Sequence, residues 1–156
     1  MSVKNHDSKN CLGCKWNALI PEDYKIDEKY GFVINHSTQP VVFGHIIVMV
    51  KLVGKKMPIS IAELEENDYN NCLKIVRKIA KALPEVVLKI RGLTIAKVYI
   101  ASLNEDTDWH PHVHIIPRGI DIPDLKRGQR IFDLPQPYIP KVDILQLKKA
   151  LKQKLS

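Results

Sequence analysis

Three histidines at every second position, within the run HPHVHIIPR over residues 110–118, constrain this chain more than any other feature. Successive side chains of a β-strand point to opposite faces, so His110, His112 and His114 are predicted to line one face of a strand. Pro111 cannot donate a hydrogen bond to a neighbouring strand, which predicts a strand that lies at a sheet edge or begins at a bulge. The run therefore predicts an accessible strand with one polar face.

Three neighbouring imidazoles cannot all be charged near neutral pH, because each added charge raises the cost of the next. At least one of them should be neutral and nucleophilic. Two interpretations follow: a zinc site that takes two His-x-His ligands and a third from elsewhere, or covalent catalysis by one imidazole that its neighbours orient. A site with all three histidines on one zinc ion is disfavoured, since the strand spreads them over ~13 Å.

Composition limits the class of protein. The 156 residues are 45% hydrophobic and 26% charged, which is typical of one globular domain and excludes collagen-like and disordered chains. The net charge of +7 favours anionic partners such as nucleotides, nucleic acid or an acidic membrane face. No apolar stretch is long enough to span a bilayer, and the polar N-terminus lacks a secretory signal, so we expect a cytoplasmic protein.

The hydrophobic pattern predicts an α+β fold with a largely antiparallel sheet, because strands precede and follow a central helix without regular alternation. Strands are predicted at 31–34, 41–43, 45–50, 94–103 and 109–117, and a terminal helix at 142–155. The central helix has one apolar stripe that ends before Pro84, and residues 85–92 extend the helical region. The stripe consists of Tyr69, Cys72, Leu73, Val76, Ile79, Ala80 and Leu83. It makes Cys72 a buried structural residue.

The run HPHVHII resembles the signature of the histidine triad (HIT) superfamily of nucleotide hydrolases and transferases. Residues 43–51 (FGHIIVMVK) and 98–105 (VYIASLNE) resemble two further strands of that family. The resemblance covers residues 11–118 and implies a HIT-like fold with a mainly antiparallel sheet and a central amphipathic helix. Residues 1–10 are then a flexible tail, and 119–156 a Pro-rich loop and C-terminal helix of the same domain.

The resemblance also implies catalytic roles around the first triad residue, His110. The middle histidine, His112, would attack the α-phosphate of a nucleotide conjugate and form a nucleotidyl-histidine intermediate. His114 would orient it or contact a phosphate oxygen, and His45 would face the same phosphate. The implied substrates are small nucleotides: dinucleoside polyphosphates or nucleoside phosphoramidates.

Nucleotide contacts are implied at four further positions. Thr107 stands three residues before the triad, where family members often carry a phosphate-binding hydroxyl, and Asn104 lies in the same short segment. Asn35 or Ser37 would replace the family's ribose-binding Asp in the loop before the Gly-His strand.

Cys11 and Cys14 have the C-x-x-C spacing of a zinc site or a redox dithiol, and zinc is favoured because no thioredoxin-like arrangement surrounds them. In some HIT proteins such a pair binds structural zinc with the first triad histidine, here His110. A second histidine completes that set in the family, but Val53 stands at its position. Either His6, His36 or a water would then supply the fourth ligand, or the site would hold no metal.

Two expectations concern partners. The resemblance implies a homodimer. The acidic residues 105, 106 and 108 before the triad, together with the net charge of +7, favour an alternative function as a non-catalytic nucleotide- or RNA-binding module.

Overall fold

The computed structural model describes residues 11–51, 58, 60–102 and 110–156. Their strands form one five-stranded sheet in the order β1-β2-β3-β5-β4, in which every neighbouring pair is antiparallel. The helices and strands are α1 (Leu12–Leu19), β1 (Lys25–Lys29), β2 (Phe32–His36), β3 (Ile46–Val50), α2 (Glu66–Arg91), β4 (Ile95–Ala101), β5 (His112–Gly119) and α3 (Lys141–Leu155). The predicted α+β fold with an antiparallel sheet is confirmed.

The histidine-rich strand β5 lies inside the sheet, between β3 and β4, so the prediction of an edge strand was wrong. Pro111 is compatible with this place because it precedes the first strand residue, His112, and therefore has no ladder hydrogen bond to donate. Its carbonyl oxygen still accepts a hydrogen bond of 3.0 Å from the Val50 N–H.

Helix α2 packs across one face of the sheet and buries most of the main core. It continues through Pro84 to Arg91 and ends at Gly92, whose φ of 67° is left-handed, as the extended helical region predicted. Cys72 is completely buried, but Tyr69 and Leu73 are 38% and 46% exposed, so these two were wrongly placed on the core face. The predicted stripe omitted four of the buried positions of α2: Ile75, Ala82, Val86 and Val87. The predicted residues Cys72, Val76, Ile79 and Leu83 are buried as expected.

The predicted strand at 41–43 is a turn. Gly44 adopts a φ of 84°, which reverses the backbone and places His45 directly before β3. Strand β1, in contrast, was not predicted, because its sequence KIDEK is mostly charged.

The C-terminal part contains short 3-10 helices at Asp124–Lys126 and Gly128–Asp133 within the predicted loop, followed by α3. Leu147, Leu151 and Leu155 of α3 join the main core beside α2. In the part of the chain that the structure describes, no helix has the length and apolar character needed to cross a membrane.

Candidate active site

The structure brings three histidines together on the face of the sheet opposite α2. His45 Nε2 lies 2.9 Å from His114 Nδ1. The ring centroids of His112 and His114 are 4.8 Å apart, and those of His45 and His114 are 5.1 Å apart. Val113, between the two strand histidines, and Ile115, directly after them, point into the main core, as the alternation of a strand requires. This histidine cluster (His45, His112 and His114) thus combines two neighbours in one strand with a third residue from the turn before β3.

Backbone partners assign a tautomer to each ring of the histidine cluster. His112 Nδ1 lies 2.8 Å from the His110 carbonyl oxygen, which can only accept, so Nδ1 carries the proton and Nε2 keeps its lone pair. The Val41 N–H donates to His45 Nδ1 at 3.4 Å, so the neutral ring of His45 carries its proton on Nε2 and donates to His114. His114 is then protonated on Nε2. The cluster therefore presents a nucleophilic nitrogen on His112 and an N–H donor on His114.

Burial keeps these rings neutral at neutral pH. It lowers the pKa of His45 to about 3, with further contributions from the charges of the neighbouring histidines. Burial and the nearby His112 lower the pKa of His114 to about 4. The pKa of His112 is also lowered by burial, although its hydrogen bond to the backbone opposes the shift. A neutral imidazole is the form that can attack phosphorus.

Phe132 closes one side of the histidine cluster. Its ring centroid lies 5.6 Å from that of His114 and 6.4 Å from that of His45, with interplanar angles of 85° and 71°. Sequence reasoning missed this residue because it lies in a Pro-rich segment without periodicity. No local signal distinguishes it from the other aromatic residues.

Asn35 lies in the same row of the sheet as His114. It pairs with Ile47, which pairs with His114, so two strand spacings of ~4.8 Å separate Asn35 from the histidine. Asn35 is fully buried in strand β2 rather than in a loop. Its Nδ2 donates to the His36 carbonyl oxygen at 3.0 Å, whereas its Oδ1 has no hydrogen-bond partner among the described residues.

The floor between Asn35 and the histidines is apolar. Ile47 and Met49 pair with His114 and His112, and Val33 pairs with Met49, so all three share the face of the histidine cluster. They are buried but are not part of the core under α2. Such a surface suits a flat apolar ring of a ligand.

Ser37 and His36 hold the turn that presents His45. The Ser37 N–H donates to the His45 carbonyl oxygen at 2.8 Å, and Ser37 Oγ accepts from the Gln39 N–H at 3.2 Å. His36 Nδ1 donates to the Ser37 carbonyl oxygen at 2.8 Å, and its Nε2 accepts from the Gly44 N–H at 3.3 Å. Both ring nitrogens of His36 therefore have backbone hydrogen-bond partners, which excludes this residue as the fourth zinc ligand in this arrangement.

The first triad histidine belongs to a second group, formed with the two N-terminal cysteines. His110 Nε2 lies 3.0 Å from Cys11 Sγ and 3.3 Å from Cys14 Sγ, and the three ligand atoms all lie within 4.8 Å of one another. His110 Nδ1 donates to the Val50 carbonyl oxygen at 2.9 Å, which turns the lone pair of Nε2 toward the sulfurs.

This Cys11–Cys14–His110 group fits a zinc ion. Bond lengths of ~2.3 Å to sulfur and ~2.0 Å to nitrogen place tetrahedral ligands about 3.5–3.8 Å apart, so small adjustments convert the observed spacing into coordination. Gly13 allows the close approach, since a Cβ there would lie 2.7 Å from the His110 ring. The group supplies three ligands of the four that a closed structural site requires.

Several positions named from the sequence lie outside the described residues. They are the tail 1–10 with His6, then Val53, Asn104, Thr107 and the acidic residues 105, 106 and 108. The contacts expected of Asn104 and Thr107 therefore stay predictions.

This fold, with a histidine cluster on its central strands, is the histidine triad fold. No protein-family model matches the chain, and no curated protein sequence matches it either. Eight solved structures with the same fold are 17–23% identical to it. The resemblance found in the sequence is therefore confirmed at the level of the fold.

Three of these solved structures show the extent of the likeness. A HIT-like protein from Bartonella henselae, described as involved in cell-cycle regulation, is 20% identical, with a TM-score of 0.64 over 97% of this chain and 99% of that one. A zinc-bound histidine triad family protein from Mycobacterium smegmatis is 19% identical, with a TM-score of 0.62 over 94% and 96%. A histidine triad protein from Bradyrhizobium japonicum is 17% identical, with a TM-score of 0.63 over 85% and 90%. The first match extends beyond residues 11–118, the part that the sequence motifs cover.

Proposed function

We propose that the chain is a nucleotide-binding enzyme that hydrolyses or transfers the nucleotidyl group of a nucleotide conjugate. The observation that carries this proposal is the hydrogen-bond chain of the histidine cluster, which leaves a lone pair on His112 Nε2 beside an N–H donor on His114. A nucleophile next to a fixed donor is the arrangement that phosphoryl transfer needs, because positioning and charge stabilisation provide most of the catalysis.

The proposed reaction has two steps. First, His112 Nε2 forms a bond to the α-phosphorus, and the bond from phosphorus to the leaving group breaks, so that the leaving group departs with the electron pair and takes up a proton. His114 Nε2–H donates to a nonbridging oxygen as charge develops there. In the second step the oxygen of water, or of another acceptor, attacks phosphorus and the P–N bond breaks. The proton that this oxygen loses passes to solvent and replaces the one that the leaving group took up from solvent. Neutral His112 is then restored.

The His110 carbonyl oxygen stabilises the intermediate. Once Nε2 is bonded to phosphorus, the imidazole of His112 carries a positive charge, which the hydrogen bond from Nδ1 to this oxygen partly offsets. A backbone acceptor cannot rotate away, so the ring also keeps its orientation.

The nucleoside is proposed to lie over the apolar floor of Val33, Ile47 and Met49. Asn35 Oδ1, a buried acceptor without a partner in the described structure, suits a sugar hydroxyl, which is a donor. Ser37 is proposed as a second sugar contact, because its Oγ accepts from the Gln39 N–H and its own proton can still donate. Asn104 and Thr107 are proposed to contact the phosphate and the leaving group.

Trapping of the intermediate tests the proposal. The protein is mixed with diadenosine tetraphosphate or with adenosine phosphoramidate, and the reaction is quenched in the steady state. The mass of the intact protein is then measured by mass spectrometry. We expect one added adenylyl group, mapped to His112, and neither adduct nor turnover in His112→Ala. His114→Ala is the matched control, since it keeps the nucleophile and should still form the adduct, about 10²–10³-fold more slowly. Turnover that survives in His112→Ala would refute the covalent mechanism.

We also propose that Cys11, Cys14 and His110 hold a structural zinc ion. The ion would join α1 to the start of β5, two residues before the nucleophile, and would supply no step of the reaction. Metal analysis of protein purified without chelator should give close to one equivalent of zinc. Cys11→Ser should lower that content while Cys72→Ser, which changes a buried cysteine in the core, should leave it unchanged.

A homodimer is the third part of the proposal. Strand β4 is one of the two edge strands of the sheet, and Ile100 on it is 56% exposed. An uncovered edge strand presents unpaired backbone groups to a second chain. Light scattering after gel filtration should give twice the monomer mass. Ile100→Glu should reduce that mass, and Leu125→Glu, at a position that is 75% exposed on another segment, should not.

A further inference from the structure

The segment Gly128–Asp133 carries an aromatic ring to the histidine cluster. Phe132 meets the His114 ring at an interplanar angle of 85° and a centroid distance of 5.6 Å, and it meets the His45 ring at 71° and 6.4 Å. These are edge-to-face contacts, the favoured geometry for two aromatic rings. One side chain therefore contacts both members of the hydrogen-bonded histidine pair.

Packing and hydrogen bonds of the neighbouring residues in the segment hold Phe132 in position. Ile131 is 1% exposed and packs with Val41 and Ile116 in a small apolar cluster that is separate from the core under α2. Ile116 lies in β5, two residues after His114, so the segment is attached to the same strand as the histidine. The Gly128 N–H also donates to the Tyr99 hydroxyl on β4 at 3.3 Å.

We propose that Phe132 is a positioning residue, which excludes water from one side of His114 and His45 and so keeps the hydrogen-bonded pair neutral and oriented toward the phosphate. The orientation toward a phosphate rests on the function proposed above, whereas the exclusion of water does not. Phe132 is placed to act through the histidines, because its aromatic contacts among the described residues are with the rings of His114 and His45 and not with the ring of His112.

The electrostatic surroundings agree with this role. Burial is the main cause of the lowered pKa of His114, ahead of the charge of His112. The titratable groups that contact the His114 ring are His45 and His112, and the charged residues nearest to Phe132 in its segment, Arg130 and Asp133, are exposed. Loss of the phenyl ring would therefore act on His114 through hydration.

Titration of the histidines by NMR tests the proposal in the absence of ligand. The variants are Phe132→Ala, Phe132→Leu as the conservative change, and Leu134→Ala as the matched control, which loosens the same small cluster without removing the ring. We expect the pKa of His114 to rise by about one unit or more in Phe132→Ala, to rise less in Phe132→Leu, and to stay unchanged in Leu134→Ala.

Two results would overturn the proposal: an unchanged pKa of His114 in a folded Phe132→Ala or Phe132→Leu protein, or an equal rise in Leu134→Ala. Kinetic measurements with diadenosine tetraphosphate distinguish a failure of the proposal for Phe132 from a failure of the proposed enzymatic function. If the wild type turns the substrate over, Phe132→Ala should lower kcat about tenfold or more, and Phe132→Leu should restore part of it. If the wild type has no activity, the proposed function fails, but the titration still decides whether Phe132 shields the pair.

Discussion

Gly13→Ala provides the most informative test of the contact between α1 and the start of β5. A Cβ at this position would lie 2.7 Å from His110 Cδ2 and 2.7 Å from the His110 backbone nitrogen, whereas ordinary contact begins at 3.4 Å. Helix α1 and His110 would therefore have to separate by roughly 0.7 Å, the difference between these distances. Zinc coordination tolerates only about 0.2 Å of change in each bond. The substitution should thus damage the Cys11–Cys14–His110 group without changing any of its ligands.

The sign of the change in unfolding free energy on Gly13→Ala distinguishes a helix that packs on His110 from one that does not. In a helix without such a contact, replacing glycine by alanine stabilises by about 1 kcal/mol, because alanine loses less backbone entropy. Here overpacking should cost about 1–3 kcal/mol and exceed that gain. We expect a lower free energy of unfolding in urea and zinc affinity reduced about 10–100-fold. Lys15→Ala, an exposed position in the same helix, is the control.

Chelator competition measures the affinity, and urea titrations with and without added zinc measure the stability. If Gly13→Ala binds zinc as tightly as the wild type and is equally or more stable, then α1 does not pack on His110 as described. The zinc proposal would fail separately if neither protein bound the metal.

Three further predictions concern the fold around the site. Gly44→Ala should lower the free energy of unfolding by about 1–3 kcal/mol, because alanine is strained at a φ of 84° and its Cβ would lie 3.1 Å from two side chains; unchanged urea stability would contradict this. Stability should be full above pH 6.5 and fall as the pH is lowered toward about 4, since the folded state holds His36, His45 and His114 neutral with lowered pKa values while the unfolded chain takes up protons. Each site contributes up to about 1.4 kcal/mol per pH unit within its window, and urea titrations at pH 7 and pH 5 should differ accordingly. Leu147→Ala, at a fully buried position of α3, should cost about 2–5 kcal/mol in the same assay, and a loss below 1 kcal/mol would show that α3 is loosely packed.

Local sequence patterns predicted the elements whose residues alternate or repeat with a clear period. Strand β5 and helix α2 are examples, because burial on one face imposes that period on the chain. The predictions were wrong where the packing partner decided the outcome: residues 41–43 look like a strand, but the backbone turns at Gly44, and Tyr69 and Leu73 fall beside the stripe that α2 buries. Strand β1 was missed because hydrogen bonds to β2, not apolar residues, define it.

The residues of the candidate site also fall into those that the sequence indicated and those that only the packing revealed. The alternation of the triad identified His112 and His114, and the C-x-x-C spacing identified Cys11 and Cys14. The resemblance to a known family added His45 and the association of His110 with the cysteines. Phe132 carried no such signal. Its role depends on how the segment after β5 folds back onto that strand.

The sequence by itself determined that several imidazoles share one strand, since side-chain alternation is a property of the extended backbone and needs no partner. Only the tertiary structure decided which groups meet across the chain. His110 joins cysteines up to 99 positions away, and His114 receives its hydrogen bond from a residue 69 positions earlier. Such contacts depend on strand order and turn geometry, which no local pattern specifies, and they fix which ring nitrogen carries a proton and which keeps its lone pair.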